Sequence, residues 1–220
     1  MKSLPFDSVV TVPPPFAVES TRTVVLASAS ATRRRLLAAA GIEAASEVAG
    51  VDEAEIKRSL QGDGAGPPDL ATALAELKAL RVSRGRPDAL VIGADQVLVA
   101  GDVVFDKPAD RAQARAQLAA LRGREHRLLS AVAIALDNVV IWRHLEEARL
   151  SMRNFDDAFL EAYLDAVGDD AFTSVGAYRL EALGAQLFTA VRGDYFTVLG
   201  LPLLPLLAFL REHRVGLAPC

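Results

Sequence analysis

The chain has one cysteine, Cys220, at its last position, so a disulfide framework within it is excluded. That usage fits a reducing, cytoplasmic compartment. No apolar run approaches the roughly 20 residues of a membrane span. The first stretch, MKSLPFDSVVTVPPPFAVES, lacks the unbroken apolar core of a secretion signal. Residues 1–22 read instead as a flexible, Pro-rich leader. The formal net charge is −4, and no basic stripe is present, which argues against nucleic acid as a partner. A small anion needs only a local positive pocket and is not excluded. His126, His144 and His213 are scattered, without metal-ligand spacing. Internal repeats, a G-x-S-x-G nucleophile elbow and a Walker A loop are all absent.

What is present is enough for a sizeable core: 51% of the 220 residues are hydrophobic, a length suited to one large domain or two lobes around one cleft. Residues 23–27 (TVVLA) read as a buried strand, followed by a serine turn and a helix over 31–40 that Gly41 ends. Gly and Pro make 61–68 a loop. The spacing predicts a helix over 69–84, with Leu70, Leu74, Leu77 and Leu80 near one face. Residues 89–93 (ALVIG) form a second buried strand, with Asp95 just beyond its end. A hairpin is expected over 97–105, turning at Gly101-Asp102, then an Ala-rich helix over 110–121. A second hairpin joins 127–136 to 139–152 through Asp137-Asn138. Helices are expected over 156–167 and 202–214; the small and apolar residues of 176–191 give no firm assignment. Strands and helices in this order indicate an α/β fold with a mixed sheet.

Four places can carry chemistry. Ser28-Ala29-Ser30-Ala31-Thr32-Arg33 puts two hydroxyls and an arginine at a helix N-terminus, a seat for phosphate oxygens; an N-cap serine before a solvated basic face is the plainer alternative. Asp95, in Gly93-Ala94-Asp95-Gln96, is placed to bind a divalent cation or take a proton, or else is a turn aspartate. Lys107, fixed before Pro108, and Lys78, the only lysine in its helix, offer point charges to phosphate or are surface lysines. The aromatic, Gly-rich loop at 193–202 holds a base or serves packing.

Taken together the chain resembles the Maf family of nucleotide pyrophosphatases. Five blocks occur in family order: VVLASASATRRRLLAAAGI; VDE; Leu77-Lys78-Ala79; VIGADQV with DKP; and VGAYRLEALG with GDYFTVLGLPL. The resemblance implies a single domain over 23–214 before a tail at 215–220, with two lobes around a deep cleft, as in inosine triphosphate pyrophosphatases. It implies cleavage of a nucleoside triphosphate between its α- and β-phosphates. Ser28, Arg33, Lys78 and Lys107 would then bind phosphate, and Asp95 would accept the proton of the attacking water. Glu53 and Asp95 would stand at a divalent cation, Mg²⁺ or Mn²⁺. The expected partner is the triphosphate substrate, with no nucleic acid and no membrane; a homodimer is left open.

The chain departs from the pyrimidine-acting branch at three positions. That branch has glutamine where Glu181 stands, lysine where Ser174 stands, and G-A-D-T where the chain has Gln96. Gln96 and Glu181, without an arginine at position 32, are more similar to the branch acting on 7-methyl-GTP, in which a glutamate can accept from a guanine edge. That branch often carries tryptophan where this chain has Thr32. Gln96 and Glu181 are therefore the candidate base-reading residues. The competing readings are a preference for dTTP or UTP, and a non-catalytic regulator of cell division.

Overall fold

The structure, a computed structural model, describes residues 22–216. The leader, apart from Arg22, and Cys220 lie outside the described residues. The chain folds as α/β around one mixed sheet. Strand β1 (Val24–Ala27) is buried throughout. Helix α1 (Ala31–Ala39) starts where Ser30 accepts a hydrogen bond from the Arg33 amide, and is followed by Gly41 at a φ of 76°. Strand β2 (Ala45–Ser46) then adds to β1 in parallel.

Helix α2 (Glu53–Gly62) had no counterpart in the expected elements. Its large apolar residues are Ile56 and Leu60 alone, both only partly buried, too short a stripe to stand out in the sequence. Helix α3 (Pro67–Ser83) begins two residues before the expected start, because Pro67 and Pro68 fill first-turn positions that need no N–H donor. Its buried face also differs. Leu77 is 39% exposed, whereas Lys78 is 8% exposed and takes the inward place between Leu74 and Ala79.

The second expected strand and the first arm of the hairpin are one strand, β3 (Leu90–Ala100). Asp95 therefore lies inside a strand rather than just past its end, which is a correction to the sequence expectation. A carboxylate there reads as a break in an apolar run; it is accommodated by a lysine that arrives from α3. Strand β4 (Val103–Phe105) turns back on β3, and α4 (Arg111–Leu121), capped by Asp110, follows. Strands β5 (Glu125–Leu136) and β6 (Val139–Met152) form the second hairpin, turning through Asp137 and Asn138 at φ of 50° and 61°. Helix α5 (Asp157–Val167) is capped by Asp156. The unassigned stretch consists of short 3₁₀ turns and strand β7 (Phe188–Arg192). One turn of helix, α6 (Tyr195–Val198), precedes the closing α7 (Leu203–Glu212).

The sheet runs β2-β1-β3-β5-β6-β7, with β4 also on β3. β1 pairs with residues 90–93 of β3, and β4 with 98–100. β5 occupies the other edge of β3 over 91–99, so β1 and β4 share one edge and leave 94–97 open between them. Alternation along β3 divides the helices in the same way. Leu90, Ile92 and Ala94 pack with residues of α1 and α7, and Leu98 packs with residues of α4 and α5. These are two lobes on one face of a shared strand, and the gap at 94–97 lies between them. The opposite face, with Val91, Val97 and Val99, is covered by α3.

Candidate active site

Ala27, the last residue of β1, stands opposite Gly93, so the serine turn and α1 open directly onto the gap. Arg33 is inward-facing on α1 and only 9% exposed. Its Nε donates to the Gly200 carbonyl at 2.8 Å, and Nη1 donates to the Ala94 carbonyl at 2.8 Å and to Ser28 Oγ at 3.2 Å. These bonds use Nε and Nη1, and Nη2 is the remaining corner of the fork. One guanidinium thus ties the serine turn, the open edge of β3 and the turn before α7 together. Burial lowers its pKa, with Asp95 and Glu53 acting in the opposite direction, and a guanidinium stays charged throughout.

Asp95 and Lys78 meet because α3 lies unusually close to β3. A Cβ on Gly93 would stand 2.1 Å from the Ala75 carbonyl oxygen, so only glycine permits this approach. Two residues further along β3, on the same face, Asp95 Oδ1 accepts from Lys78 Nζ at 2.6 Å. Lys78 Nζ also lies 2.7 Å from Glu53 Oε1, at the first turn of α2. Asp95 Oδ2 is buried and has no hydrogen-bond partner among the described residues. Partial burial is the largest influence on Glu53 and favours its neutral form. Lys78, Lys57 and Lys107 outweigh it and hold the pKa below the usual glutamate range. Lys107, just beyond β4, has its pKa lowered by desolvation first and then by the charges of Arg33 and Lys78, against the pull of Glu53 and Asp95.

Six of the sequence candidates therefore converge on the gap: Ser28, Arg33, Glu53, Lys78, Asp95 and Lys107. Three cations face two carboxylates, and one carboxylate oxygen is left unpaired. No group of three His, Cys, Asp or Glu side chains suited to a metal exists among the described residues. Two carboxylates still fit a cation of the Mg²⁺ kind, which is commonly held by one or two protein carboxylates together with substrate phosphates. The unpartnered Oδ2 of Asp95 is a donor atom of the right chemistry for it.

The other two candidates are not among these charged groups, although Gln96 Oε1 and Arg33 Nη2 both approach Gly200. Gln96 points to the opposite face of β3 from Asp95. Its Nε2 is committed to Ser130 Oγ at 2.9 Å and to the carbonyls of Thr197 and Val198 at 3.1 Å each. Gln96 thus fastens α6 to the sheet, and only its Oε1 is open to a ligand. Glu181 comes from the second lobe, next to Leu180, which packs with the α4 and α5 cluster. Its Oε1 accepts from Thr32 Oγ1 at 3.5 Å, Arg35 Nη2 at 3.4 Å and Arg179 Nε at 3.3 Å. Thr32 and Arg35 belong to α1, so Glu181 bridges the two lobes. The aromatic loop divides its duties: Asp194 caps α6, and Tyr195 remains 49% exposed.

Sequence reasoning missed Lys57, Gly93, Arg179 and the two carbonyls that hold Arg33. Gly93 carried no local signal, since a glycine beside an apolar strand equally marks its end. Arg35 belonged to the run read as a solvated face, yet it reaches Glu181.

This geometry accords with the sequence relationships. The Maf-like protein family profile matches residues 23–213. A nucleoside triphosphate pyrophosphatase of Paramagnetospirillum magneticum is 56% identical over 189 residues, covering 86% of this chain and 97% of that protein. A protein of the same name from Granulibacter bethesdensis is 50% identical over 191 residues, covering 87% and 97%. A 7-methyl-GTP pyrophosphatase of Rhizobium meliloti is 48% identical over 189 residues, covering 86% and 95%. The match spans both lobes and every residue gathered at the gap, and the chain belongs to the Maf-like protein family.

Proposed function

We propose that the protein is a nucleoside triphosphate pyrophosphatase that releases monophosphate and pyrophosphate. The observation that carries this reading is the buried, unpartnered Oδ2 of Asp95 beside Arg33, Lys78 and Lys107. A triphosphate brings several negative charges, and the three cations offset them. Ser28 Oγ and the N-terminus of α1 supply hydroxyl and amide donors to phosphate oxygens. Asp95, its Oδ1 held by Lys78, presents Oδ2 to accept a proton from water attacking the α-phosphorus. Electrons from the bridging bond leave on pyrophosphate, whose growing charge lies in the field of Lys78, Lys107 and Arg33. Glu53 and Asp95 would hold a Mg²⁺ or Mn²⁺ ion, which supplies further charge neutralisation when bound.

For the base, Glu181 is the acceptor that supports a 7-methylguanine over a pyrimidine. It is largely buried yet bonded by three donors, and exchanging one of them for a purine N–H keeps its charge satisfied. The setting proposed for this activity is the cytoplasm. Among the described residues no helix is long and apolar enough to cross a membrane. Product chromatography after incubation with nucleoside triphosphates and Mg²⁺ tests the reaction: monophosphate and pyrophosphate are expected, and diphosphate with inorganic phosphate overturns it.

A further inference from the structure

Helix α2 borders the proposed phosphate site through Glu53 and has no buried residue of its own. Leu60, near its C-terminal end, joins an apolar cluster under α3, which anchors that end only. The N-terminal half is held by charge. Glu53 and Lys57 are four residues apart and so share one face of the helix. Glu53 Oε1 meets Lys78 at 2.7 Å, and Lys57 Nζ donates to Asp106 Oδ1 at 2.6 Å. The Lys57 side chain is only 13% exposed, although its partner's is 72% exposed, so the stem lies down against the protein and the ammonium reaches outward to the carboxylate. Asp106 stands between β4 and Lys107, and its carbonyl accepts from Gln117 Nε2 of α4 at 2.9 Å. The residue whose carboxylate Lys57 grips is thus tied to the second lobe through its backbone carbonyl, one residue from the proposed phosphate-binding Lys107.

Resting on the pyrophosphatase reading, we propose that Lys57 is a positioning residue: by gripping Asp106 it holds α2 as a lid over the gap and sets Glu53 against Lys78. An ion pair with one exposed member contributes little to global stability, and this suits a clip that must release when a triphosphate enters. The clip also fixes the spacing between an acid that would meet the cation and a lysine that would meet phosphate. Lys57 itself touches neither.

The test uses the full chain and five proteins: wild type, Lys57→Met, Lys57→Arg, Asp106→Asn and the double variant Lys57→Met with Asp106→Asn. Amide hydrogen exchange without nucleotide reads the lid directly. Peptides of 53–62 are expected to exchange about fivefold faster in Lys57→Met and in Asp106→Asn, with no further gain in the double variant. Lys57→Arg is expected to behave as wild type, and peptides of α3 and β3 are expected to be unchanged in all five. In steady state with Mg²⁺, Lys57→Met should raise KM for the triphosphate about fivefold while kcat moves less than about twofold. Unchanged exchange over 53–62 in both single variants overturns the proposal, as do effects that add in the double variant or a fall in kcat with KM unmoved. Should no triphosphate be hydrolysed at all, the reaction reading falls, and the exchange result still decides whether the clip exists.

Discussion

Lys78 reaches Asp95 at 2.6 Å because α3 and β3 touch backbone to backbone at Gly93. The contact sets the depth of the lysine as well as its direction. In Gly93→Ala the new methyl would stand 2.1 Å from the Ala75 carbonyl oxygen and 2.6 Å from the Ala79 amide, neither of which can rotate away. The helix must shift, and overpacking of this kind costs about 1–3 kcal/mol or more. Chemical denaturation should show a lowered midpoint together with a loss of turnover. Gly62→Ala, where nothing lies within 4 Å of the new methyl, should not be destabilised. Equal behaviour of the two variants would remove Gly93 from the account.

Asp95→Asn keeps the shape and removes the proposed proton acceptor. Turnover should fall by about 10²–10⁴-fold, the usual range for general-base help. Lys78 keeps Glu53 as a partner at 2.7 Å, so the fold should persist. Measured without divalent cation, where Asp95 has no metal to hold, a non-hydrolysable triphosphate should bind no more weakly than to wild type, because one negative charge is gone from beside three cations. Near-native turnover, or binding lost together with turnover, contradicts the assigned role.

Much of the fold was legible because its elements carry periodicity and punctuation. β1, the Asp137-Asn138 hairpin and the Asp-capped α4 and α5 all show them. α2 was not legible, since its apolar stripe is two partly buried residues, Ile56 and Leu60, among charged ones. Asp95 was placed outside its strand because its neutralising charge lies 17 residues earlier in sequence, on another element. Had the strand been read as continuous, its period of two would have set Gln96 on the opposite face from Asp95. The candidate site residues were proposed from the order of five motifs. Local composition alone left Lys78, Lys107 and Asp95 each with an ordinary structural explanation, and only their three-dimensional convergence distinguishes them.

His126 supplies a pH dependence away from the site. It is buried among the Tyr178 and Phe188 rings, with Nε2 at 2.7 Å from the Tyr178 hydroxyl, and desolvation lowers its pKa from 6.5 to about 4. The folded state then binds the imidazole proton less readily than the unfolded chain. Stability should be unaffected above pH 6.5, decline as pH falls from there to about 4, and lose nothing more from this group below that. The shift corresponds to about 3 kcal/mol at full extent. Denaturation of wild type and His126→Leu across that range checks it. The variant starts lower, because Tyr178 loses a partner, but its curve should be flatter; parallel curves would show that His126 is not responsible.

Arg33 and Arg35 sit two positions apart on α1 and should fail in different ways. Arg33 satisfies the carbonyls of Ala94 and Gly200, so Arg33→Ala should weaken triphosphate binding and also lower stability by about 1–3 kcal/mol for buried acceptors left unpaired. Arg33→Lys should not rescue it, since an ammonium cannot reproduce the fork. Arg35 is more than half exposed and its contact is Glu181, so Arg35→Ala should leave the fold and the phosphate site alone and change only discrimination between bases. Nucleotide titrations with thermal melts separate the two, and a matching loss of stability in both variants would contradict the division.

Glu181 is where the choice of base is expected to be made. Its side chain is 14% exposed, and the acceptor oxygen is shared among Thr32, Arg35 and Arg179 from both lobes. A purine edge entering between the lobes can replace the weakest of these, the 3.5 Å contact from Thr32, without leaving the carboxylate unpaired. A hydrogen bond to a charged acceptor is worth roughly 1.5–3 kcal/mol. That converts to about 10- to 100-fold in discrimination. The methylated guanine carries a positive charge that Glu181 would balance, whereas a pyrimidine offers none. The expected order in kcat/KM is therefore 7-methyl-GTP above dTTP and UTP. Glu181→Gln should shrink that preference by the same factor while turnover on the poorer substrates persists, because the phosphate cluster does not include Glu181. A native preference for dTTP or UTP would defeat the assignment of the base and leave the phosphate chemistry at Asp95 untouched, since the two sites share no side chain.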